Sequence, residues 1–406
     1  MFRTIILFLG VTLFSCQESP KTGVWRGVIY TQGQEIPFNF NIEKVTDDYF
    51  DLVLINGEDR FTIDSVTVKD DSIHIPFKLF DAFIVAKTGK GKMAGEWIKP
   101  YAEDFVLPFE AVHDENYRIA ETYDEPKTNV SGKWEVAFED ERGTSAAIGL
   151  FKQEGNHVTG SFATNHGDYR FLEGAISGDS MFLSVFDGTN AYLFKSKVTG
   201  DRMTGIFVSG KAGYKTWIAQ KNENATLPDA TQLTSIDEGY ESLDFVLPNM
   251  EGVLVALSDP RFENKVVIVQ ILGSWCINCM DETKFLAQWY KKNKDKPVEI
   301  VGLAFERKDD FMYAQQQLGR HIKRFDVQYP ILFAGDNKRE NIAEKLPMLE
   351  NFSAFPTTIY LDKNKNVRKI HTGFNGPGTG KYYQDFVAEF EEFVGGLINE
   401  EVANLP

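Results

Sequence analysis

A pattern typical of a buried strand runs directly into two cysteines in the second half of the chain. The apolar run 266–272 suits a strand that is covered on both faces, and Trp275-Cys276-Ile277-Asn278-Cys279 follows it. The chain has three cysteines, and the third is Cys16. A strand that feeds a Cys-x-x-Cys pair at the start of a helix predicts thiol-disulfide chemistry.

Half of a zinc site is the alternative interpretation of such a pair. Structural zinc takes four Cys or His ligands, and the second half of the site has recognisable spacing. The sequence contains neither a second Cys pair nor a His pair at ligand spacing. The pattern therefore favours redox chemistry, and we predict neither a metal nor a cofactor.

The two sulfurs are expected to have different roles. A helix that begins near Cys276 directs its unpaired N–H groups and its positive dipole end at the first sulfur, which stabilises a thiolate. Cys276 is the predicted nucleophile. Cys279, one turn further along and less accessible, is the predicted resolving thiol that breaks the mixed disulfide.

The N-terminus reads as a lipoprotein signal. Met1-Phe2-Arg3 precedes an apolar stretch too short to span a membrane, which predicts a signal peptide over 1–15. Leu13-Phe14-Ser15-Cys16 resembles a bacterial lipobox, and this predicts a diacylated Cys16 followed by a polar tether, 16–22. The alternative is an ordinary secretory signal. Because two acyl chains give lasting attachment, we expect a lipid-anchored protein of the cell envelope that faces the periplasm.

The net charge of the chain limits its possible binding partners, and its length limits the number of domains. A net charge of −16 argues against nucleic acid or an anionic membrane surface as a partner. The 406 residues fit two or three globular domains.

The first half of the chain contains an internal repeat. Four short motifs recur with offsets of 108 to 110 residues: Gly23-Val24-Trp25 with Gly132-Lys133-Trp134, Arg60-Phe61 with Arg170-Phe171, Asp71-Ser72 with Asp179-Ser180, and Lys92-Met93-Ala94-Gly95 with Arg202-Met203-Thr204-Gly205. Short alternating runs and frequent turn signals predict that both copies are all-β. We therefore predict two antiparallel β-modules, over 23–120 and 131–222.

Each β-module is expected to form a lipocalin-like barrel or a curled sheet, with the tryptophan of Gly-x-Trp at one end. The functional interpretation is a ligand cup. The alternative, which we favour, makes Trp25 and Trp134 core anchors of modules that act as spacer, dimer surface or substrate platform. The scattered histidines are predicted to be surface or hydrogen-bonded residues: His74, His113, His157 and His166.

A polar segment without periodicity, 223–240, predicts a linker. Alternating strand and helix patterns follow over 241–400 and predict an α/β sheet covered by helices. The last helix repeats apolar residues at 382, 386, 390, 393 and 397.

The segment 240–400 resembles the TlpA/ResA branch of the thioredoxin superfamily. The resemblance rests on the strand before Gly-Ser-Trp-Cys-Ile-Asn-Cys, on Phe355-Pro356-Thr357-Thr358, and on the closing hairpin and helix. The ending 371–380 resembles that of lipoproteins from Bacteroidetes-type bacteria. The β-modules lie outside the resemblance.

The resemblance implies a thioredoxin-like fold and several site residues. Pro356 matches the family's cis-proline, so a cis Phe355–Pro356 bond is expected, with Trp275, Phe355 and Pro356 binding substrate. Glu282 matches an acidic residue near the family's active site and is expected to shuttle a proton. The alternative is an exposed glutamate that only complements the helix dipole.

Two departures from the family pattern affect the chemistry. Gln270 stands where many thioredoxins carry a buried acid, so proton transfer depends on Glu282. The dipeptide Ile277-Asn278 is uncharged, so thiolate stabilisation depends mainly on the helix end.

We therefore predict a membrane-tethered thiol-disulfide oxidoreductase, working as a reductase on protein disulfides with an unknown electron donor. A thiol peroxidase is one rival. The other is a binding lipoprotein whose β-modules capture a lipid or peptide, with an accessory redox domain.

Overall fold

The structure is a computed structural model that describes residues 20–46, 49–69, 71–240 and 242–401. The predicted signal peptide, Cys16 and most of the tether lie outside the described residues. Within these ranges, no helix has the length and apolar character needed to cross a bilayer.

The first β-module is a closed barrel of eight antiparallel strands in sequential order, in which β1 pairs with β8. Buried and exposed positions alternate along strands such as β3, because successive side chains point to opposite faces. The strands are β1 Gly23–Thr31, β2 Gln34–Lys44, β3 Tyr49–Asn56, β4 Asp59–Lys69, β5 Ser72–Phe77, β6 Ala82–Gly89, β7 Lys92–Ile98 and β8 Val106–His113.

The second β-module is also a closed eight-stranded barrel, completed by pairing of β10 with β11. A ninth, two-residue strand, β12, pairs only with β11. The strands are β9 Gly132–Asp140, β10 Gly143–Glu154, β11 His157–Thr164, β12 Gly167–Asp168, β13 Leu172–Ser177, β14 Ser180–Phe186, β15 Ala191–Thr199, β16 Arg202–Ser209 and β17 Gly213–Lys221. The expectation of barrels is therefore confirmed, and the curled sheet is excluded.

The repeated motifs occupy equivalent places in the two barrels. Trp25 and Trp134 both lie near the start of the first strand, and each indole N–H donates to the carbonyl four residues earlier, at 3.0 and 2.9 Å. Both tryptophans are buried among the aromatic and aliphatic side chains that fill the barrels. This packing supports the core-anchor interpretation over a ligand cup.

The C-terminal domain contains a five-stranded sheet in the order β23-β22-β21-β25-β26, with β21, β22 and β23 parallel. Helices α1, α2 and α4 pack on one face, and α3 with the β19–β20 hairpin packs on the other. The elements are β18 Ser235–Ile236, β19 Val246–Pro248, β20 Leu254–Ala256, β21 Val266–Leu272, α1 Ile277–Asn293, β22 Val298–Glu306, α2 Phe311–Phe325, β23 Ile331–Asp336, α3 Arg339–Lys345, β24 Leu349–Glu350, β25 Thr357–Leu361, β26 Val367–Thr372 and α4 Lys381–Asn399.

The segment 223–240, which was predicted to be a linker, is only partly a connection between domains. Its second half belongs to the C-terminal domain, because β18 pairs with β24 and the buried Thr234 hydroxyl lies 2.8 Å from the Thr372 hydroxyl. A short polar segment without periodicity gives no sequence signal for where it packs. The partners of this segment lie more than 100 residues away, so its packing was not predicted.

Candidate active site

The two cysteines lie where β21 passes into α1. Cys276 is the N-cap residue of α1, and the Cys279 N–H donates to Cys276 Sγ at 3.2 Å. A disulfide joins the two cysteines, whose Cα atoms are 5.2 Å apart. Cys276 is 8% exposed and Cys279 is fully buried, as expected for an outer and an inner sulfur.

The predicted substrate-binding residues lie beside the disulfide. The Phe355–Pro356 bond is cis, as predicted, and the Phe355 carbonyl oxygen lies 3.6 Å from Cys276 Sγ. The Trp275 ring meets the Phe355 ring edge to face at 5.5 Å between centroids. The Trp275 indole N–H donates to the Phe305 carbonyl at 3.0 Å, which holds the ring at this rim.

Glu282, three residues after Cys279 on α1, is buried, with 2% of its surface exposed. Its carboxylate accepts hydrogen bonds from Gln270 Nε2 at 2.8 Å and from Thr358 Oγ1 at 2.7 Å. Burial raises the pKa of Glu282 to about 7, although both hydrogen bonds act in the opposite direction. The alternative of an exposed glutamate that complements the dipole is therefore wrong.

Gln270 occupies the position where the family carries a buried acid, and its side chain forms a hydrogen bond with Glu282. Its amide N–H donates to Glu282, and its amide oxygen accepts from the Thr283 hydroxyl at 3.2 Å. The Thr283 hydroxyl is also 3.1 Å from His321 Nε2. Burial lowers the pKa of His321 to about 3, so this imidazole is neutral, and Glu282 is the titratable member of the network near pH 7.

Sequence reasoning missed a second buried acid, Glu306. Its carboxylate accepts hydrogen bonds from the Ser274 backbone N–H at 2.9 Å and from the Ser274 hydroxyl at 2.8 Å, and so holds the segment before Cys276. Burial raises the pKa of Glu306 to about 6. A signal was present, because an acid follows the apolar run 300–305 at the end of β22.

The second β-module contacts α1 directly. Arg170 donates from Nε and Nη2 to the two carboxylate oxygens of Asp281, at 2.8 and 3.0 Å. The Asn278 amide, between the two cysteines, donates to the Asp168 carbonyl at 3.3 Å. Burial raises the pKa of the Asp168 carboxyl to about 7, and the Asp281 charge adds to that shift. Residues 168–170 are therefore part of the surroundings of the cysteine pair.

The first β-module contacts both α1 and α2. Met280 belongs to the hydrophobic cluster of the first barrel, and Ile277 packs against it. Asp81 accepts hydrogen bonds from Tyr313 and Gln317 of α2. Both modules therefore hold the helix that carries the cysteines, and sequence patterns did not predict these contacts.

In the ranges that the structure describes, no three His, Cys, Asp or Glu side chains are grouped so that they could hold a metal ion.

Comparison with known proteins agrees with this geometry. Residues 222–385 match the Redoxin family. The thiol-disulfide oxidoreductase ResA of Bacillus subtilis is 28% identical over 141 residues, which are 34% of this chain and 69% of that protein. ResA of Bacillus thuringiensis subsp. konkukian is 26% identical over 137 residues, covering 34% and 70%. The C-terminal domain is a TlpA/ResA-like thiol-disulfide oxidoreductase. Among solved structures, the thiol-disulfide oxidoreductase from Bacteroides fragilis matches with 20% identity and a TM-score of 0.27, covering 36% of this chain and 99% of that one.

The matched segment of this TlpA/ResA-like domain includes both cysteines, Glu282 and the cis-proline. It excludes both barrels. The modules are thus an addition to the redox domain.

Proposed function

We propose that this protein is a lipid-anchored reductase of protein disulfides in the cell envelope, acting through the Cys276/Cys279 dithiol. The observation that carries the proposal is the position of the cysteine pair, at a helix N-terminus and facing the Phe355 carbonyl across 3.6 Å. An extended substrate chain can pair with the backbone at that carbonyl while its disulfide meets the outer sulfur.

The proposed reaction begins with the reduced protein. The Cys276 thiolate attacks one sulfur of the substrate disulfide, and the other substrate sulfur leaves as a thiolate that takes up a proton. The N-terminus of α1 stabilises the attacking thiolate, in keeping with the Cys279 N–H that points at Cys276 Sγ.

Resolution of the mixed disulfide follows. Cys279 loses its proton and attacks Cys276 Sγ, which releases the second substrate thiol and leaves the Cys276–Cys279 disulfide. Glu282 is the proposed proton acceptor, because its pKa of about 7 lets it exchange a proton near neutral pH. Two electrons pass to the substrate, and a donor outside this chain returns them.

The anchor is the second part of the proposal. It is supported by the apolar stretch that ends in Leu13-Phe14-Ser15-Cys16. Attachment through a diacylated Cys16 would keep the dithiol on the outer side of a membrane.

Insulin reduction tests the reaction. The purified full-length protein in detergent, with dithiothreitol as donor, is expected to accelerate precipitation of the insulin B chain. Cys276→Ser and Cys279→Ser should abolish this turnover, whereas Cys16→Ser should retain it. Rapid consumption of hydrogen peroxide without insulin reduction would support the thiol peroxidase instead. Binding in a hydrophobic-ligand screen without insulin reduction would support the binding lipoprotein.

A further inference from the structure

An arginine at the rim of the candidate active site lies over two aromatic rings that belong to different domains. Arg307 directly follows β22, and its guanidinium carbon is 5.2 Å from the centroid of the Trp275 ring. It also lies 3.7 Å from the centroid of the Tyr101 ring, which belongs to the β7–β8 loop of the first β-module. The first barrel therefore contributes a side chain to the rim beside Cys276.

No acidic side chain in the described part of the chain forms a salt bridge with this guanidinium, although the charge of the adjacent Glu306 acts on it. Among the described residues, Arg307 has neither a salt bridge nor a hydrogen bond, and its buried Nε atom has no partner. The adjacent Glu306 carboxylate is directed inward to Ser274. Arg170, by contrast, pairs with both Asp281 and Asp59.

Stacking orients a guanidinium and leaves its in-plane N–H groups available. Contact with two ring faces stabilises the cation, and the two Nη groups, unlike the buried Nε, can still form a two-point contact with a carboxylate. Tyr101 is 38% exposed, so this rim is open to solvent. Because Trp275 contacts both Phe355 and Arg307, a substrate chain that extends from Phe355 over the Trp275 ring would reach Arg307.

We propose that Arg307, which contacts the Trp275 and Tyr101 rings, selects disulfides whose cysteine has an acidic residue next to it in the substrate sequence. This inference rests on the proposed disulfide-reductase function and specifies its substrate class. Arg307 is a specificity residue that contacts the substrate carboxylate, and Tyr101 positions it.

Three matched peptide disulfides provide the test. Each is a symmetric dimer of an acetylated and amidated Xaa-Cys-Ala peptide, with Glu, Gln or Lys as Xaa. The second-order rate constant for oxidation of the reduced full-length protein is measured by stopped-flow tryptophan fluorescence. Because a hydrogen bond between two charged groups is stronger than one to a neutral amide, the Glu peptide is expected to react about tenfold faster than the Gln peptide. The Lys peptide is expected to be the slowest.

Variants assign the preference to Arg307. The ratio of the Glu to the Gln rate should fall to within about twofold of unity in Arg307→Gln and decrease in Tyr101→Leu. Lys308→Gln is the matched control, because it removes a neighbouring positive charge that lies over Tyr313 instead. It should keep the wild-type ratio. Circular dichroism and thermal unfolding check that each variant is folded.

The outcomes separate this inference from the proposed function. Equal rates for the three peptides, or an unchanged ratio in Arg307→Gln, would overturn the acidic preference while the reductase proposal stands. Failure of the reduced wild-type protein to react with any peptide or with insulin would overturn the reductase proposal, and the inference with it.

Discussion

Arg170 of the second β-module forms two charge-assisted hydrogen bonds to Asp281, two residues after Cys279 on α1. The same guanidinium lies 3.5 Å from Asp59 of the first module. Burial acts to lower the pKa of Arg170, but the Asp281 and Asp59 charges raise it above its ordinary value, so the cation persists in a buried site. One side chain thus joins both barrels to the helix that carries the dithiol.

Arg170→Gln is expected to destabilise the protein by about 3–5 kcal/mol, because it leaves the largely buried Asp281 and Asp59 carboxylates without their cation. Differential scanning calorimetry should show a lower midpoint for the transition that includes the C-terminal domain. Arg60→Gln is the control, since Arg60 is exposed and should change stability by about 0.5 kcal/mol or less. Equal midpoints for Arg170→Gln and wild type would show that this contact is not stabilising.

Gly167→Ala is expected to move the 164–168 hairpin away from the Cys-x-x-Cys dipeptide. A Cβ atom at Gly167 would overlap Asn278 Nδ2, and φ is +130° there. In the reduced protein, Cys276 should then react several-fold faster with iodoacetamide. Gly143→Ala isolates the effect of backbone strain, because Gly143 has φ +114° and a Cβ there would meet no atom within 4 Å. If both variants accelerate alkylation equally, the contact with Asn278 does not limit access.

Cys276 is expected to be the first cysteine alkylated in the reduced protein at neutral pH. It caps the helix and is 8% exposed, whereas Cys279 is fully buried. Brief iodoacetamide treatment followed by peptide mapping measures the two rates. Faster labelling of Cys279 would reverse the assigned roles.

Glu282→Gln is expected to slow resolution of the mixed disulfide by about 100-fold while changing the midpoint potential little. The carboxyl accepts a proton only when ionised, and its pKa is raised to about 7. The wild-type rate should therefore rise between pH 6 and 8, and the variant should lose this rise. Stopped-flow measurement of both half-reactions from pH 6 to 9 tests this, with the exposed Glu391→Gln as control. An unchanged profile in Glu282→Gln would exclude the proton relay.

Cys16→Ser is expected to release the protein from the membrane fraction into the soluble envelope fraction. The motivation is the lipobox-like Leu13-Phe14-Ser15-Cys16. Cell fractionation with immunoblotting measures it, and Cys276→Ser should remain with membranes. Retention of the Cys16 variant would contradict the lipid anchor.

Local sequence patterns were sufficient to predict the helix at Cys276 and the repeated β-modules. The strand before Cys276 predicted the start of α1, and the recurring motifs predicted two equivalent β-modules. The cis Phe355–Pro356 bond was implied by the resemblance to the TlpA/ResA branch and not by a local pattern. The Arg170–Asp281 contact joins residues 111 positions apart, and periodicity carries no information about such pairing. For the same reason, the burial of Glu282 could not be decided from sequence, because Thr358, 76 residues away, helps enclose it.

The repeat also contains an internal comparison between two arginines that recur at the same place in the motif. In the first module, Arg60 donates from Nη1 to the carbonyls of Gly57 and Asp59, both at 2.8 Å, and so closes its own turn. In the second module, the Arg170 side chain extends to α1 and donates to Asp281. The equivalent arginines therefore have different roles in the two copies, one within its own turn and one in the contact with α1, so the copies are not interchangeable. A chain with two copies of the first module could close both barrels, but it would lack the guanidinium that reaches α1. The module that directly precedes the redox domain must therefore be the one that supplies this arginine.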